Sequence, residues 1–347
     1  MVKGSHNLET KIYHADTIKE AAKEIQAGQL VSFPTETVYG LGADATNEAA
    51  VKQVYVAKGR PSDNPLIVHV ADITTVEKYA QPLSEKTRLL MKTFWPGPLT
   101  IILKLKPDAL SKSVTGGLET AAFRNPHNEA TLDLIRQAGV PIVGPSANTS
   151  GKPSPTEAKH VYHDLHGKIA GILDDGPTQI GVESTVIDMS GEVPSILRPG
   201  AVSEAQLAKV IGTVQSDHHK VGKNEVPKAP GMKYKHYAPN AQVLIVADDQ
   251  WPAAMNWAAQ QNSPVGVMTT EQVKKENLIP TNAEWFSLGE DVHSASHNLF
   301  AGLRHFDLES SVTYILAQEF DRIGLGEAYM NRLGKSAGQQ YFQTPNK

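Results

Sequence analysis

Basic and hydroxyl side chains recur in this sequence near the ends of short apolar runs, where folding can gather them into one site. The basic members are Lys58, Arg60, Arg124 and Arg198, and the hydroxyl members are Thr35, Thr37, Thr120, Ser146 and Ser184. Arginine and lysine neutralise phosphate oxygens in different geometries. Since the chain has no cysteine, a thiol nucleophile is excluded. The combination favours a site that orients and neutralises phosphates over one that runs covalent chemistry.

The pair Lys58 and Arg60 flanks Gly59 at the end of a predicted helix. The arginine can hold a phosphate as a bidentate fork, and the lysine can act as a point charge. Cations at a helix C-terminus are also stabilised by the helix dipole alone, so the pair has a structural alternative. Asn64 adds a polar group shortly before an apolar run. His69 lies inside that run, where a histidine is either structural or a binding group.

A loop of small residues at 146–152, with the sequence SANTSGK, partly matches a phosphate-binding Walker A loop. The first glycine of that motif is replaced by Ser146, and Pro153 stands where serine or threonine is needed. A P-loop ATPase is therefore disfavoured. The loop nevertheless follows a predicted strand, which is where α/β folds place their ligands. Ser146 and Asn148 alternate and can face one side, unless they only form a turn.

Other motifs give weaker signals. Residues 40–45 match the G-x-G-x-x-A dinucleotide pattern, but Pro34 separates them from the preceding strand, so we expect the glycines to form a tight turn. His160, His163 and His166 recur without a zinc-binding motif. Residues 174–177, with the sequence DDGP, are typical of a turn. We therefore expect no dedicated metal site in the protein.

Strand and helix patterns interleave along the first two hundred residues. The predicted strands cover residues 30–33, 66–70, 100–105 and 140–143. Predicted helices begin at Asp16 or Thr17, at Thr46 or Asn47 and at Asn128, and they end at Gly28, Gly59 and Gly139. Interleaved strands and helices predict an α/β domain that brings the ends of its strands, and their polar residues, together.

Composition and length bound the class of protein. The 347 residues carry 33 basic and 37 acidic side chains, for a net charge of -4, and 40% are hydrophobic. This length favours two domains, at roughly 150 residues each. The acidic balance disfavours a whole-chain nucleic-acid binder. No apolar run approaches the ~20 residues of a membrane span, and residues 1–10 lack a signal-peptide core. We expect a cytoplasmic protein.

The last third of the chain has its own organisation. Residues 215–240 hold three prolines and five lysines with no apolar face, which predicts an extended linker. Predicted strands at 243–246, 265–268 and 312–317, with helices at 251–260 and 295–306, indicate a second α/β unit. The predicted organisation is a domain at 1–214, a linker at 215–240 and a second domain at 241–347.

Six segments together resemble the threonylcarbamoyl-AMP synthase family, the YrdC-like superfamily in its long two-domain form. They are FPTETVYGLG at 33–42, KGRP at 58–61, NPLIVH at 64–69, WPGPLT at 95–100, PSAN at 145–148 and GVEST at 181–185. The segment PGMKYKHYAP at 230–239 also resembles the interdomain segment of the long form. The resemblance implies a YrdC-like twisted α/β N-terminal domain and a smaller Rossmann-like α/β C-terminal domain.

The resemblance further implies a nucleotidyltransferase that converts L-threonine, bicarbonate and ATP into L-threonylcarbamoyladenylate and pyrophosphate. The product would feed the tRNA threonylcarbamoyl transferase machinery, which modifies tRNA next to the anticodon. The family's catalytic tetrad falls on Lys58, Arg60, Ser146 and Asn148. Its ATP contacts map to Arg60, Asn64, Thr120, Ser146, Ser154, Arg198 and Tyr237, and its threonine contacts map to Thr37, His69, Arg124 and Ser184.

In this interpretation the threonine amine forms a carbamate, and a carbamate oxygen attacks the α-phosphorus of ATP. Lys58, Arg60 and Arg198 would stabilise the developing charge, while Arg124 would hold the threonine carboxylate. Mg²⁺ is expected to arrive with ATP. We expect neither membrane binding nor strong direct binding of tRNA. The stretch 228–237 is expected to act as a lid over the nucleotide site, or else as a plain tether.

Two rival functions share parts of the pattern. A YrdC-like domain without activity could bind RNA or a ribosome through a basic surface, with an affinity that falls steeply with salt. A related domain also occurs in carbamoyl transferases of hydrogenase maturation, but those proteins carry cysteine zinc fingers, and this chain has no cysteine. Bicarbonate-dependent release of pyrophosphate distinguishes the synthase from the binder.

Overall fold

The structure is a computed structural model that describes residues 8–216, 227–228 and 236–343. The chain forms two compact units. Of the described residues, the first unit contains 8–150, 155–178, 183–216 and 227–228, and the second contains 151–154, 179–182 and 236–343. Much of the predicted linker, at 217–226 and 229–235, lies outside the described residues. The predicted boundaries at 214 and 240 and the predicted lid therefore stay predictions. No helix among the described residues is long and apolar enough to cross a membrane.

The first unit is built on one mixed sheet. Its strands are β1 (Lys11–Tyr13), β2 (Val31–Phe33), β3 (Gly40–Asp44), β4 (Ile67–His69), β5 (Leu99–Lys104), β6 (Thr120–Arg124), β7 (Ile142–Val143), β8 (Gly171–Leu173), β9 (Thr185–Asp188), β10 (Ser195–Arg198) and β11 (Gln215–Ser216). They lie in the order β1-β8-β2-β3-β7-β4-β6-β5-β9-β10-β11. The four strands predicted from the first half of the sequence correspond to β2, β4, β5 and β7.

Helices connect these strands. They are α1 (Ile18–Gln26), α2 (Glu48–Lys58), α3 (Ile73–Tyr79), α4 (Glu85–Phe94), α5 (Lys112–Thr115), α6 (Glu129–Ala138), α7 (Ala158–Leu165) and α8 (Glu204–Ile211). The side chains of Asn47 and Asn128 accept hydrogen bonds from backbone amides in the first turns of α2 and α6. Gly59 and Gly139 end the same helices in the left-handed conformation. Cap residues therefore predicted these helix ends correctly.

Residues 40–44 form strand β3 rather than the tight turn that their glycines predicted. β3 pairs antiparallel with β2, and Gly40 lies opposite Phe33. A Cβ atom on Gly40 would lie 2.7 Å from the Phe33 ring, and one on Gly42 would lie 2.6 Å from the carbonyl oxygen of Val31. The prediction was wrong because a glycine that allows close strand packing looks the same in a sequence as one that allows a turn.

The two faces of the sheet differ in their surroundings. One face forms the main core with α2, α4 and α8, and it includes Ala121 and Phe123 of β6. Because side chains alternate along a strand, Ala122 and Arg124 point to the opposite face. That face carries a small apolar cluster, which we call the apolar floor, made of Ile67, Ile102, Ala122, Val186 and Leu197.

The second unit contains a parallel sheet. Its strands are β12 (Gln242–Val246), β13 (Val265–Thr269), β14 (Ala283–Ser287) and β15 (Tyr314–Gln318), in the order β12-β15-β13-β14. Its helices are α9 (Trp251–Ala259), α10 (Glu271–Glu276), α11 (Val292–Leu308) and α12 (Leu325–Ser336). All pairs of neighbouring strands are parallel. The α/β architecture predicted for the C-terminal part of the chain is confirmed.

Two short segments from the middle of the chain belong to this second unit, residues 151–154 and 179–182. The carbonyl oxygen of Pro153 accepts hydrogen bonds from Nε and Nη2 of Arg304, at 3.1 and 2.7 Å. Nζ of Lys152 lies 3.1 Å from Oδ2 of Asp307. Since both partners are on α11, this helix fixes the segment at 151–154.

Candidate active site

Polar side chains border the apolar floor on the same face of the sheet. His69 of β4 lies opposite Arg124 of β6. Val186 of the floor lies opposite Arg198 of β10 on one side and opposite Thr100 of β5 on the other. Residues that lie opposite one another in neighbouring strands share a face. The face therefore collects two arginines, an imidazole and a hydroxyl around an apolar centre.

Arg124 lies at the end of β6 and is only 4% exposed. Its Nη1 donates a hydrogen bond of 2.9 Å to Oγ1 of Thr37, and its Nε donates one of 3.4 Å to the carbonyl oxygen of Gly97. Its Nη2 lies 2.7 Å from Oε2 of Glu36, although the angles of this contact are not those of a hydrogen bond. Three of the four residues predicted to bind threonine are therefore neighbours, namely Thr37, His69 and Arg124.

Ser184, the fourth of these residues, lies just before β9 and is tied to Arg198. Its Oγ lies 2.8 Å from Oγ1 of Thr100 and accepts a hydrogen bond of 3.1 Å from Nη2 of Arg198. Nε of Arg198 donates to the carbonyl oxygen of Ser184, also at 3.1 Å. Since β5 lies between β6 and β9 in the sheet, this cluster neighbours that of Arg124.

Gly200 controls the approach of the two chain segments that carry Ser184 and Arg198. A Cβ atom at position 200 would lie 2.1 Å from the backbone nitrogen of Thr185. We expect Gly200→Ala to cost about 1–3 kcal/mol of unfolding free energy, as overpacking does, and to weaken substrate binding. Urea unfolding and calorimetry check both effects. Gly191→Ala is the control, because its nearest atom would lie 3.8 Å away; an equal loss in both variants would contradict the prediction.

Lys58, Ser146 and Asn148 form a second cluster. Lys58 ends α2 and is only 3% exposed. Its Nζ donates hydrogen bonds to the carbonyl oxygens of Ser146 and Asn148, the latter at 2.6 Å. The amide of Ser150 donates back to the carbonyl oxygen of Lys58 at 2.8 Å, and an isolated β-bridge joins Ser146 to Gly40. Three of the four predicted catalytic residues are therefore held together.

Arg60, the fourth predicted catalytic residue, follows α2 directly. Its Nη2 donates hydrogen bonds of 3.2 and 3.1 Å to the carbonyl oxygens of Asn64 and Pro65. Asn64 is almost fully buried. Thr120 lies at the start of β6, on the face that carries Arg124 and four residues from it. These three predicted ATP contacts thus belong to the first unit.

Two further residues predicted to contact ATP, Ser154 and Tyr237, belong to the second unit. Tyr237 adopts a left-handed φ of 64°, and its ring packs on Phe300 with a centroid distance of 5.1 Å. The amide of Ala238 donates a hydrogen bond of 2.9 Å to the carbonyl oxygen of Gly151. This bond joins the chain segments that carry Tyr237 and Ser154, and their roles in ATP binding stay predictions.

Burial, and to a smaller extent the charge of Arg124, lower the pKa of His69 to about 3. The imidazole is therefore neutral at physiological pH. Its Nδ1 is buried and has no hydrogen-bond partner among the described residues. A neutral ring nitrogen of this kind can accept a hydrogen bond from a ligand hydroxyl, or donate one, depending on the tautomer.

The lowered pKa of His69 predicts a pH dependence of stability. Below the ordinary histidine pKa of about 6.5 the imidazole of His69 binds a proton in the unfolded chain but stays neutral in the folded chain. The free energy of unfolding therefore decreases as the pH falls from 6.5 toward 3. Between pH 7 and pH 5 the loss should be about 2 kcal/mol. Urea unfolding of wild type and His69→Gln at both pH values measures it, and equal pH dependence in the two proteins would contradict the prediction.

Two residues of the site escaped the sequence reasoning. Glu36 forms the buried ion pair with Arg124, and Thr100 contacts the hydroxyl of Ser184. A glutamate between two threonines in an otherwise apolar segment is the signal that could have found the first. Within the described residues, no group of three or more histidines or carboxylates is arranged to hold a metal ion.

Comparison with known proteins agrees with this fold. Residues 23–200 match the Sua5, YciO and YrdC family model, which is described as "Telomere recombination", and residues 202–338 match "Threonylcarbamoyl-AMP synthase, C-terminal domain". A threonylcarbamoyl-AMP synthase of Bacillus subtilis is 50% identical over 326 residues, covering 92% of this chain and 93% of that protein. One from Pyrococcus abyssi is 46% identical over 331 residues, covering 94% and 95%.

Solved structures give the same result. The crystal structure of P. abyssi Sua5 complexed with L-threonine has a TM-score of 0.89 and 42% sequence identity to this chain, and it covers 96% of this chain and 99% of its own. The mixed sheet with its basic, hydroxyl-rich face defines the first unit as a YrdC-like domain. With its second domain included, the chain belongs to the threonylcarbamoyl-AMP synthase family. The predicted family, fold class and synthase activity are thereby confirmed.

Proposed function

We propose that the site on the first unit condenses L-threonine, bicarbonate and ATP into threonylcarbamoyl-AMP and pyrophosphate. The observation that carries the proposal is the gathering of Arg124, Ser184 and Arg198 around the apolar floor. A guanidinium next to buried hydroxyls suits a small amino acid, and a second guanidinium suits a phosphate. The P. abyssi relative that was crystallised with L-threonine supports threonine as the amino acid.

In the threonine subsite each neighbouring side chain has a distinct task. Arg124 binds the carboxylate, because a guanidinium fork matches two carboxylate oxygens. The neutral ring of His69 hydrogen-bonds the threonine hydroxyl through Nδ1, which has no hydrogen bond of normal geometry within the described part of the chain. Thr37 and Ser184 fix the remaining orientation through their buried hydroxyls. Holding the amine close to the reacting carbon in this way removes much of the entropic cost of bringing two molecules together.

In the nucleotide subsite the basic side chains neutralise the phosphates. Lys58 and Arg60, with Arg198, stabilise the negative charge that builds up when the carbamate oxygen attacks the α-phosphorus. Ser146 and Asn148 orient the phosphates. We assign the remaining contacts with ATP to Asn64, Thr120, Ser154 and Tyr237. Mg²⁺ enters as part of the MgATP substrate, where it offsets the charge of the triphosphate.

The product has an activated carbonyl on a nucleotide, so it must be consumed by an enzyme that transfers this acyl group to a nucleophile. We assign that step to the tRNA threonylcarbamoyl transferase machinery, with an adenosine next to the anticodon as the acceptor. Because the chain has a net charge of -4, direct and strong binding of tRNA is not part of the proposal.

One assay tests the proposal. Purified protein with ATP, Mg²⁺ and L-threonine should release pyrophosphate only when bicarbonate is present, and mass spectrometry should detect threonylcarbamoyl-AMP. Omission of threonine is the matched control. Pyrophosphate release that ignores bicarbonate would overturn the proposal. RNA binding without any pyrophosphate, with an affinity that falls steeply with salt, would favour the non-catalytic binder instead.

A further inference from the structure

Glu36 carries a buried carboxylate that the proposed function leaves without a role. It is 4% exposed, and among the described residues neither of its oxygens accepts a hydrogen bond of normal geometry. Its close contact is with Nη2 of Arg124, at 2.7 Å. A buried carboxylate usually fills its acceptor sites with donors, since an unfilled site keeps the cost of its lost hydration. Glu36 therefore has acceptor capacity to offer a ligand.

Hydrogen bonds hold the loop that carries Glu36, and the ion pair with Arg124 holds its carboxylate. Oγ1 of Thr35 donates a 2.7 Å hydrogen bond to the carbonyl oxygen of Val38 and accepts from the amides of Thr37 and Val38, both at 3.1 Å. Oγ1 of Thr131 donates to the carbonyl oxygen of Pro34. A carboxylate held in this way is preorganised for a partner of fixed geometry.

We propose that Glu36 binds the ammonium group of the amino acid substrate and accepts its proton, a role that rests on the proposed function. An α-amino acid carries its carboxylate and its ammonium on the same carbon, so a receptor needs a cation and an anion side by side. Arg124 and Glu36 form that pair. Nη2 of Arg124 is also buried and makes no hydrogen bond of normal geometry to the residues that the structure describes, so it is a donor for the substrate carboxylate.

The proposed step balances with bicarbonate as the carbon source. The ammonium passes one proton to Glu36 and becomes a nucleophilic amine. Its nitrogen forms a bond to the bicarbonate carbon, and its second proton goes to solvent. The carbon–hydroxyl bond then breaks, and the departing hydroxyl takes the proton from Glu36 and leaves as water. The products are the carbamate, water and one released proton, and Glu36 is again a carboxylate, ready for the next cycle.

The test compares two ligands on wild type and on Glu36→Gln. L-Threonine carries the ammonium, and 2,3-dihydroxybutanoate carries a hydroxyl in its place. Calorimetry should show that the substitution weakens threonine binding by roughly ten- to a hundredfold, the range of a charge-assisted hydrogen bond, and leaves the analogue unchanged. At saturating threonine, kcat should fall by at least ~10²-fold, as for loss of a general base.

Two further variants make the outcome specific. Arg124→Lys is the matched comparison, because loss of the carboxylate contact should weaken both ligands equally. Glu36→Asp keeps a carboxylate, so this variant should still bind threonine more tightly than the analogue. The same comparison tests the proposal if Glu36→Gln does not fold. Equal weakening of both ligands in Glu36→Gln would overturn the proposal and leave Glu36 as a structural partner of Arg124. An unchanged kcat would overturn the proton transfer. If wild type itself binds no threonine, it is the proposed function that fails.

Discussion

Lys58→Ala is expected to lower pyrophosphate formation by at least ~10²-fold, the scale for removing one preorganised donor from a site of developing charge. Lys58 is 3% exposed and its ammonium contacts the carbonyl oxygens of Ser146 and Asn148. In the proposed mechanism this cation holds the loop at 146–148 and also neutralises a phosphate. Steady-state kinetics with ATP and threonine at saturation should show the loss in kcat.

The same helix supplies a control for this experiment. Lys52 lies on α2, is 64% exposed at its side chain and pairs with Glu48 at 2.9 Å. Lys52→Ala removes the same charge from the same helix without touching the site, so its kcat should stay within twofold of wild type. Near wild-type turnover in Lys58→Ala, or an equal loss in both variants, would refute the catalytic assignment of Lys58.

Arg124→Lys is expected to raise KM for threonine by ~10²-fold, with little change in KM for ATP. The substitution keeps a positive charge beside Glu36, so the buried ion pair is not left with one partner, which would cost about 3–5 kcal/mol. It removes the planar fork that a carboxylate needs, and two charge-assisted hydrogen bonds are worth about 3–6 kcal/mol before any compensation by the ammonium. Kinetics with each substrate varied in turn measures the effect.

Arg136→Lys is the matched control for this second prediction. Arg136 lies on α6, and its half-exposed side chain pairs with Asp133 at 2.7 Å. Its replacement should change neither KM. If Arg124→Lys raises the KM values of threonine and ATP by the same factor, Arg124 shapes the whole site and does not bind the threonine carboxylate specifically.

Local chemistry made much of the fold predictable. The asparagine caps and the closing glycines gave the ends of α2 and α6, because caps satisfy backbone groups that every helix leaves open. Short apolar runs gave β2, β4 and β5. These features depend on residues that are close in sequence, which is why sequence alone suffices for them.

Other features depend on partners that local sequence patterns do not reveal. The contact between Glu36 and Arg124 joins residues that no periodicity connects, and the role of Gly40 depends on the Phe33 ring across the strand pair. The six motifs contain many of the residues around the site, although Arg124 and Arg198 lie outside them, and they do not show which residues are in contact. Thr100 and Ser184, for example, meet only because β5 and β9 are neighbours in the sheet.

The path of the chain through the second unit has a consequence for folding during synthesis. Pro153 and the arginine that binds its carbonyl oxygen, Arg304, are 151 residues apart in the sequence. A ribosome therefore completes the first stretch of this unit long before it makes the helix that secures it. Residues 151–154 therefore lack their native contacts with α11 during a large part of translation. The two domains of the nascent chain cannot complete folding strictly one after the other.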